Sequence, residues 1–222
     1  MSTHPSSHTL GSQGEFSHRP MAWGSRGMVG AGTQLTAQAG MHVLWQGGNA
    51  VDAAVAGALA AGVLEPTAHY SLGGEVAFLF YDAASKRVRS VVGQGWAPQQ
   101  ATVDLYVERW GEIPSGVLST TVPGVISALL AMLSEYGTMS FTQAAQAAVG
   151  FAQDGFPAYQ LLSRAIGSAE RMANIQRYSD TANVYLPGGK PPVLGSIFKQ
   201  PDLANTFSLM VRGEQQALAD GK

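Results

Sequence analysis

The longest hydrophobic run of the chain covers residues 50–64, where alanine, valine, leucine and glycine are interrupted by one charge, Asp52. This pattern predicts a helix that is buried on every side, with small side chains that let neighbouring backbones approach closely. Asn49 can cap the first turn of this helix, and the helix dipole favours the negative charge of Asp52 in that turn. Pro66 ends the helix. The run is too short for a membrane span, which needs about 20 strongly apolar residues. We predict the central helix of a layered α/β core.

The residues before this run predict one strand and one helix. A short apolar run at 28–31 is typical of a buried strand. Thr33 can cap a helix over 34–46, which the glycines at 47 and 48 end. One face of this helix carries Leu35, Ala39, His42 and Val43. We therefore expect His42 to be a core histidine bonded to backbone rather than a catalytic one.

The pattern further along predicts a hairpin followed by helices. Residues 75–82 are so apolar that both faces should be covered, and the alternating residues 87–93 return as the antiparallel strand. Residues 154–157 favour a turn and residues 174–192 an irregular segment. Predicted helices cover residues 102–110, 125–136, 141–153 with Ser140 as cap, 158–173, and 203 to about 218.

Composition narrows the function classes. The chain has 222 residues, of which 45% are hydrophobic and only 13% charged. A free-standing domain usually has about 25% charged residues, so extra surface buried against another chain is one explanation. The net charge of −2 gives no general attraction to nucleic acid or anionic membrane. The absence of cysteine excludes disulfides, thiolate catalysis and cysteine-based metal sites.

The amino-terminal 25 residues are rich in serine, histidine and glycine. They lack the apolar run of a secretory signal, so we expect an extended or mobile arm over 1–25 and a cytoplasmic location. The spacing of His4, His8 and His18 does not favour a metal site. We predict neither a metal nor a cofactor.

No local motif is catalytic by itself. The chain lacks a Gly-x-Ser-x-Gly elbow, a His-Glu-x-x-His pair and a phosphate loop. Gly30 and Gly32 begin a turn that is similar to a nucleotide-binding fingerprint, but the third glycine and the ribose-binding acid are missing at the required spacing. A tight turn is the favoured interpretation, and a nucleotide-binding domain is the disfavoured alternative.

Several motifs in a fixed order resemble one family. They are Gly-Gly-Asn-Ala-Val-Asp-Ala-Ala-Val-Ala at 47–56, Glu65-Pro66, Gly73-Gly74, Ala97-Pro98, Thr-Val-Pro-Gly at 121–124, Tyr136-Gly137, Asp-Gly-Phe-Pro at 154–157 and Gln-Pro-Asp-Leu-Ala at 200–204. From about residue 27 to residue 210, the chain is similar to the amino-terminal part of the γ-glutamyltranspeptidase family. Residues 26–222 would then be the amino-terminal part of its large subunit.

This resemblance implies an α+β fold, the four-layer αββα sandwich of the N-terminal-nucleophile hydrolases, which is incomplete without the small subunit. Members are proenzymes that cut themselves into two chains, so a heterodimer is implied, and we also consider a dimer of heterodimers. The nucleophile is the threonine that begins the small subunit, with its own α-amine as base. No catalytic residue is therefore expected in this chain, and Thr120-Thr121 matches a structural loop.

The resemblance also implies a substrate site. Glutamyl-specific members have Arg-Glu shortly before Ala-Pro, and the arginine holds the substrate α-carboxylate through two parallel hydrogen bonds. Here Gln94 and Gly95 occupy those positions, followed by Trp96. We therefore hypothesise an amide substrate that is not γ-glutamyl. The alternative interpretation is a loop beside the hairpin. Gly73 and Gly74 match a glycine run near the active site, but they equally suit packing against a helix.

Three functions follow from these residues. The first is a small-molecule amide hydrolase that is active only with the threonine-bearing chain. The second, from another class, is a non-catalytic truncated relative that binds a ligand or a partner. The third is a true γ-glutamyl hydrolase or transferase. A downstream reading frame that supplies an N-terminal threonine would favour an enzyme over the non-catalytic relative.

Overall fold

Helices dominate the computed structural model, which describes residues 21–68 and 70–221. Together with two small antiparallel sheets they confirm the α+β class. The elements in chain order are α1 (Gln34–Trp45), α2 (Ala50–Leu64), β1 (Val76–Asp82), β2 (Arg87–Gly93), α3 (Val103–Trp110), α4 (Val125–Tyr136), α5 (Phe141–Gln153), β3 (Phe156–Pro157), α6 (Gln160–Ile166), α7 (Ala169–Gln176), α8 (Ser179–Tyr185), β4 (Ile197–Phe198) and α9 (Pro201–Ala219).

Helix α2 is the centre of the core and packs against α1, α4 and α5. Its side chains from Val55 to Leu64 include six that are fully buried, and its small residues allow α5 to approach closely. The carbonyls at its C-terminal end are also satisfied, because the Gln200 side chain donates to Val63 O at 2.7 Å and the Tyr159 hydroxyl donates to Leu64 O at 2.9 Å. The prediction that α2 is buried on every side is wrong for the part of its surface that contains Ala54, which is exposed.

The N-terminus of α2 is held by a buried carboxylate. Asn49 and Asp52 form the predicted capping box, with Asn49 N–H donating to Asp52 at 2.8 Å. Asp52 is fully buried and also accepts hydrogen bonds from the backbone N–H groups of Thr138 and Met139 and from the Thr138 hydroxyl, at 2.7–3.1 Å. Burial raises the pKa of Asp52, but these hydrogen bonds outweigh it and hold the pKa below 3.8. One carboxylate thus joins α2 to the link between α4 and α5.

A second carboxylate joins α1 to the end of α2. Glu65 accepts a hydrogen bond from Thr33 N–H at 3.0 Å and from the Thr36 hydroxyl at 2.6 Å. A Cβ atom at Gly32 would overlap this carboxylate, which explains the glycine. A phosphate at this helix N-terminus would meet a negative charge instead of free N–H groups. The turn at Gly30–Gly32 therefore leaves space for the Glu65 carboxylate at the start of α1. The nucleotide-binding alternative is wrong.

The predicted hairpin is confirmed. Strands β1 and β2 pair in antiparallel register from Val76 opposite Gly93 to Asp82 opposite Arg87. One face packs on α4, where the rings of Phe80 and Tyr136 meet edge to face at 4.8 Å. The expectation that both faces are covered is wrong within the described residues, because Leu79 on the other face is 77% exposed.

Several local predictions differ from the structure. Residues 28–31 form no strand, since no described strand lies beside them to accept their hydrogen bonds. His42 is exposed and bonds the Gln46 side chain at 2.9 Å, rather than lying in the core. The predicted helix over 158–173 breaks because Ser168 caps a new helix, α7, by accepting from Arg171 N–H. The segment called irregular contains α8, and the turn at 154–157 contains β3, which pairs with β4.

Two further predictions concern the amino-terminal arm and membrane-spanning helices. The histidines at 4, 8 and 18 and most of the predicted arm lie outside the described residues. Within the described ranges, no helix has the length and hydropathy that crossing a bilayer requires.

Replacing Asp52 by asparagine should lower the free energy of unfolding by about 2–4 kcal/mol, because an amide NH2 group would face buried N–H donors. Urea denaturation of both proteins at neutral pH measures this. The matched control is Asp202→Asn, which changes an exposed first-turn aspartate of α9 and should cost at most about 0.5 kcal/mol.

The pH dependence provides a second check on Asp52. Because its folded-state pKa is lowered, its contribution is present above the unfolded value of 3.8 and is lost as the pH falls through the folded pKa. The difference between wild type and Asp52→Asn should therefore shrink in acid. Equal stability of the two proteins at neutral pH would contradict the role assigned to this carboxylate.

Candidate functional site

The residues predicted to form the substrate site lie at one end of the hairpin. Gly93, the last residue of β2, pairs with Val76, the first residue of β1. Gly74 precedes Val76 by two residues and Gly95 follows Gly93 by two. The two predicted glycine segments therefore leave the sheet side by side, as continuations of paired strands.

A third segment, residues 122–124, holds these two together. Gly124 N–H donates to Gly74 O at 3.1 Å, and Val122 N–H donates to Trp96 O at 3.0 Å. Helix α4 begins directly afterwards, at Val125. We name this arrangement of residues 73–74, 93–96 and 122–124 the glycine junction. Residues 122–124 were not among the predicted site residues, although their Thr-Val-Pro-Gly motif was the signal available.

Close backbone contacts explain why glycine occupies the junction. A Cβ atom at Gly95 would overlap the carbonyl oxygen of Val122, and one at Gly124 would overlap that of Gly93. A Cβ atom at Gly93 would lie 2.5 Å from Ala128 Cβ on α4. These backbones therefore cross at distances that only glycine permits. Gly73 differs, because nothing lies within 4 Å of the position its Cβ would take.

The side chains of the junction face outward. Gln94 is exposed, and its amide has no hydrogen-bond partner among the described residues. The Trp96 side chain is 87% exposed. A glutamine amide offers both donors and an acceptor but no charge, so it can bind a carbonyl or an amide and cannot form the ionic pair that arginine forms. The junction thus presents one neutral polar group and one large ring on a closely packed backbone.

The other candidate catalytic and metal-binding groups do not form part of the junction. Thr120 lies near the junction in sequence, but its hydroxyl donates to Val117 O at 2.7 Å and closes a local turn. Within the described residues, no three histidine, aspartate or glutamate side chains are grouped so that they could hold a metal ion. Among the described residues, no hydrogen bond pairs a nucleophile with a base at the junction.

Comparison with known proteins assigns the chain to a family. The family model described as Gamma-glutamyltranspeptidase matches residues 36–222. The chain belongs to the γ-glutamyltranspeptidase family. The resemblance carried by the sequence motifs is thereby confirmed.

Curated members of the γ-glutamyltranspeptidase family include two kinds of relative. The "Glutathione hydrolase proenzyme" of Bacillus subtilis is 34% identical over 207 residues, which are 90% of this chain and 34% of the relative. The "Acylase ACY 1 proenzyme" of Pseudomonas sp. (strain V22) is 33% identical over 212 residues, which are 90% of this chain and 37% of the relative. The chain thus spans about a third of the length of these relatives.

Solved structures of the γ-glutamyltranspeptidase family agree with the fold. The γ-glutamyltranspeptidase of Helicobacter pylori superposes with a TM-score of 0.78 at 28% identity, covering 85% of this chain and 55% of that one. A cephalosporin acylase from Bacillus halodurans superposes with a TM-score of 0.79 at 27% identity, covering 98% of this chain and 40% of that one. The same framework therefore occurs in proteins named for different substrates.

Replacing Gly95 by alanine should displace the loop at 122–124, because the new Cβ would overlap the Val122 carbonyl. We expect a loss of about 2 kcal/mol in the free energy of unfolding, a typical cost of overpacking. Urea denaturation tests this, with Gly73→Ala as the matched control. Gly73 has free space and no positive φ, so its variant should be as stable as the wild type or slightly more. Equal effects of the two variants would show that the junction is not tightly packed.

Proposed function

We propose that this chain is the amino-terminal part of the large subunit of an autoprocessed amide hydrolase. Its family membership supports this, and relatives such as those of Bacillus subtilis and Pseudomonas are named as proenzymes. In the proposed reaction, the hydroxyl of a threonine that begins a second chain attacks the substrate amide carbonyl. The threonine α-amine takes the hydroxyl proton and passes it to the leaving amine, and water then releases the acyl group.

The part of this chain in that reaction is to shape the acyl pocket. The observation that carries the substrate assignment is Gln94, a neutral side chain exposed at the glycine junction. Aligned on Ala97-Pro98, it matches the arginine that the family resemblance implies for glutamyl-specific members. Without a cation, an α-carboxylate would lose hydrogen bonds to a charged group, each worth about 1.5–3 kcal/mol. We therefore propose a neutral acyl group without an α-carboxylate, with Gln94 bonding it, Trp96 forming a wall, and Gly73 and Gly74 allowing close approach.

Two further functions remain as alternatives. A true γ-glutamyl hydrolase or transferase is favoured by the similarity to glutathione hydrolases. A non-catalytic relative that binds a ligand or partner is the other alternative, and a downstream reading frame that supplies an N-terminal threonine would decide against it. The hydrolase requires a second chain, whereas the non-catalytic relative requires none.

The first test is intact-mass spectrometry with N-terminal sequencing of the native protein. We expect a second polypeptide that begins with threonine, since processing must expose the α-amine that serves as base. Replacing that threonine by alanine should leave one uncut chain. A single folded chain without a companion in the native material would overturn the hydrolase and favour the non-catalytic relative.

The second test concerns Gln94 in the matured protein. Gln94→Arg should raise kcat/KM for γ-glutamyl amides about tenfold or more, because arginine can hold the α-carboxylate through charge-assisted bonds. A γ-glutamyl anilide and the matched butyryl anilide, which lacks the α-carboxylate and α-amine, provide the measurement. Gln99→Arg is the control, as it adds the same charge at an exposed position five residues away. An unchanged ratio between the two substrates in Gln94→Arg would remove Gln94 from the acyl pocket.

A further inference from the structure

A cavity of about 330 Å³ lies beside the glycine junction and has no role in the function proposed so far. Two of its walls continue the junction directly. Ala97 and Pro98 follow Trp96 in one wall, and Thr121 precedes Val122 in another. Because Val122 N–H bonds Trp96 O at 3.0 Å, these two walls are fixed relative to each other where they leave the junction.

The remaining walls come from helix α3 and the turn that follows it. Thr102 caps α3 by accepting from Leu105 N–H, and Gly111, with φ of 72°, ends it in the left-handed conformation that glycine favours. The chain then returns along α3, and the Tyr106 hydroxyl donates to Leu118 O. This hydrogen bond ties the turn at 117–119 to α3, so the cavity is built by local structure between residues 97 and 121.

The lining indicates which chemical group the cavity can take. Most of it is apolar, and the larger apolar side chains are Val103, Tyr106, Val107, Ile113 and Leu118. Among the described residues that line it, the one charged member is Glu112, and none is lysine, arginine or histidine. A carboxylate at the wall repels anionic groups, and no cation among these described lining residues compensates for this. Binding sites for small molecules have about this size or larger and are mostly apolar.

We propose that this cavity is a second substrate subsite, which takes an uncharged alkyl or aryl group of the amide substrate. The proposal rests on the proposed function, because that function places the reacting amide near Gln94. It adds that the acyl group enters from the junction and extends into the cavity. The substrate class is therefore an amide of an apolar carboxylic acid, rather than of a dicarboxylic or amino acid.

Direct binding to the native protein, with or without a second chain, tests the cavity apart from catalysis. The probes are acetamide, butanamide and hexanamide, with 4-carbamoylbutanoate as the anionic counterpart, and methyl NMR shifts report affinity. Each added methylene that enters the cavity should strengthen binding by up to about fourfold. The carbamoylbutanoate should bind at least about tenfold more weakly than hexanamide, since Glu112 repels it.

A pair of matched variants shows where the probes bind. Val107→Asp places a carboxylate in the cavity wall, and Leu161→Asp places one on α6, away from the cavity. Both side chains lie on helices and are similarly exposed, at 62% and 67%, so neither change should unfold the chain. Hexanamide affinity should fall at least about tenfold in Val107→Asp and stay unchanged in Leu161→Asp. Equal affinities in both variants, or affinity independent of chain length, would overturn the subsite.

Hydrolysis by the matured protein separates this proposal from the one on which it rests. If the protein hydrolyses acyl anilides, kcat/KM should rise from acetyl to hexanoyl and this rise should disappear in Val107→Asp. Hydrolysis of all lengths at one rate would overturn the subsite and leave the amide hydrolase intact. Length-dependent binding without any hydrolysis would overturn the hydrolase and leave the cavity as a binding site for apolar amides.

Discussion

The arrangement of this chain depends on one buried carboxylate. A charge withdrawn from water is costly unless hydrogen bonds replace its hydration, and Asp52 accepts them from Asn49, Thr138 and Met139. The link between α4 and α5 is thereby fixed against the N-terminus of α2. The hairpin packs on α4 through Phe80 and Tyr136, so its position relative to the core follows from the same carboxylate. The glycine junction in turn is where the hairpin meets the start of α4. A residue far from the candidate site in sequence thus determines where that site lies.

The parts of the fold that follow from short-range signals could be predicted from the sequence. The caps at Thr33 and Asn49, the hairpin and the glycines that end α1 all depend on neighbours within a few residues. The tie from Asp52 to Thr138 could not, because the two residues are 86 positions apart and either suits an ordinary cap. Predictions failed where burial had to be inferred. Apolar neighbours suggested an inward His42 and a strand at 28–31, but burial depends on which elements pack there, and sequence periodicity does not give that.

The candidate site could likewise be predicted from the sequence only in part. Motif order identified Gln94 and Gly74 separately, and the hairpin register alone would have placed them at one end of the sheet. The crossing at Val122 could not be predicted, since a glycine at 95 is compatible with many turns and its actual cause is a distant carbonyl oxygen. The two kinds of named relative, glutathione hydrolases and acylases, share this framework at similar identity. Sequence identity alone therefore does not distinguish the substrates, and the proposed preference depends on the single neutral side chain at 94.

The exposed hairpin face has a consequence for how such a protein is assembled. Within the described residues β1 and β2 pair only with each other, so each strand has an edge of unpaired backbone groups, and Leu79, Tyr81 and Val88 add apolar surface. An edge of this kind accepts any extended strand, including that of another copy. Binding of a covering strand and pairing with another copy of the chain then compete kinetically. A covering strand on the same polypeptide acts at an effective concentration of roughly millimolar, far above that of separate molecules in a cell. If the proposed processing holds, synthesis as one precursor, with the cut made only after the strands have met, would protect the hairpin from aggregation.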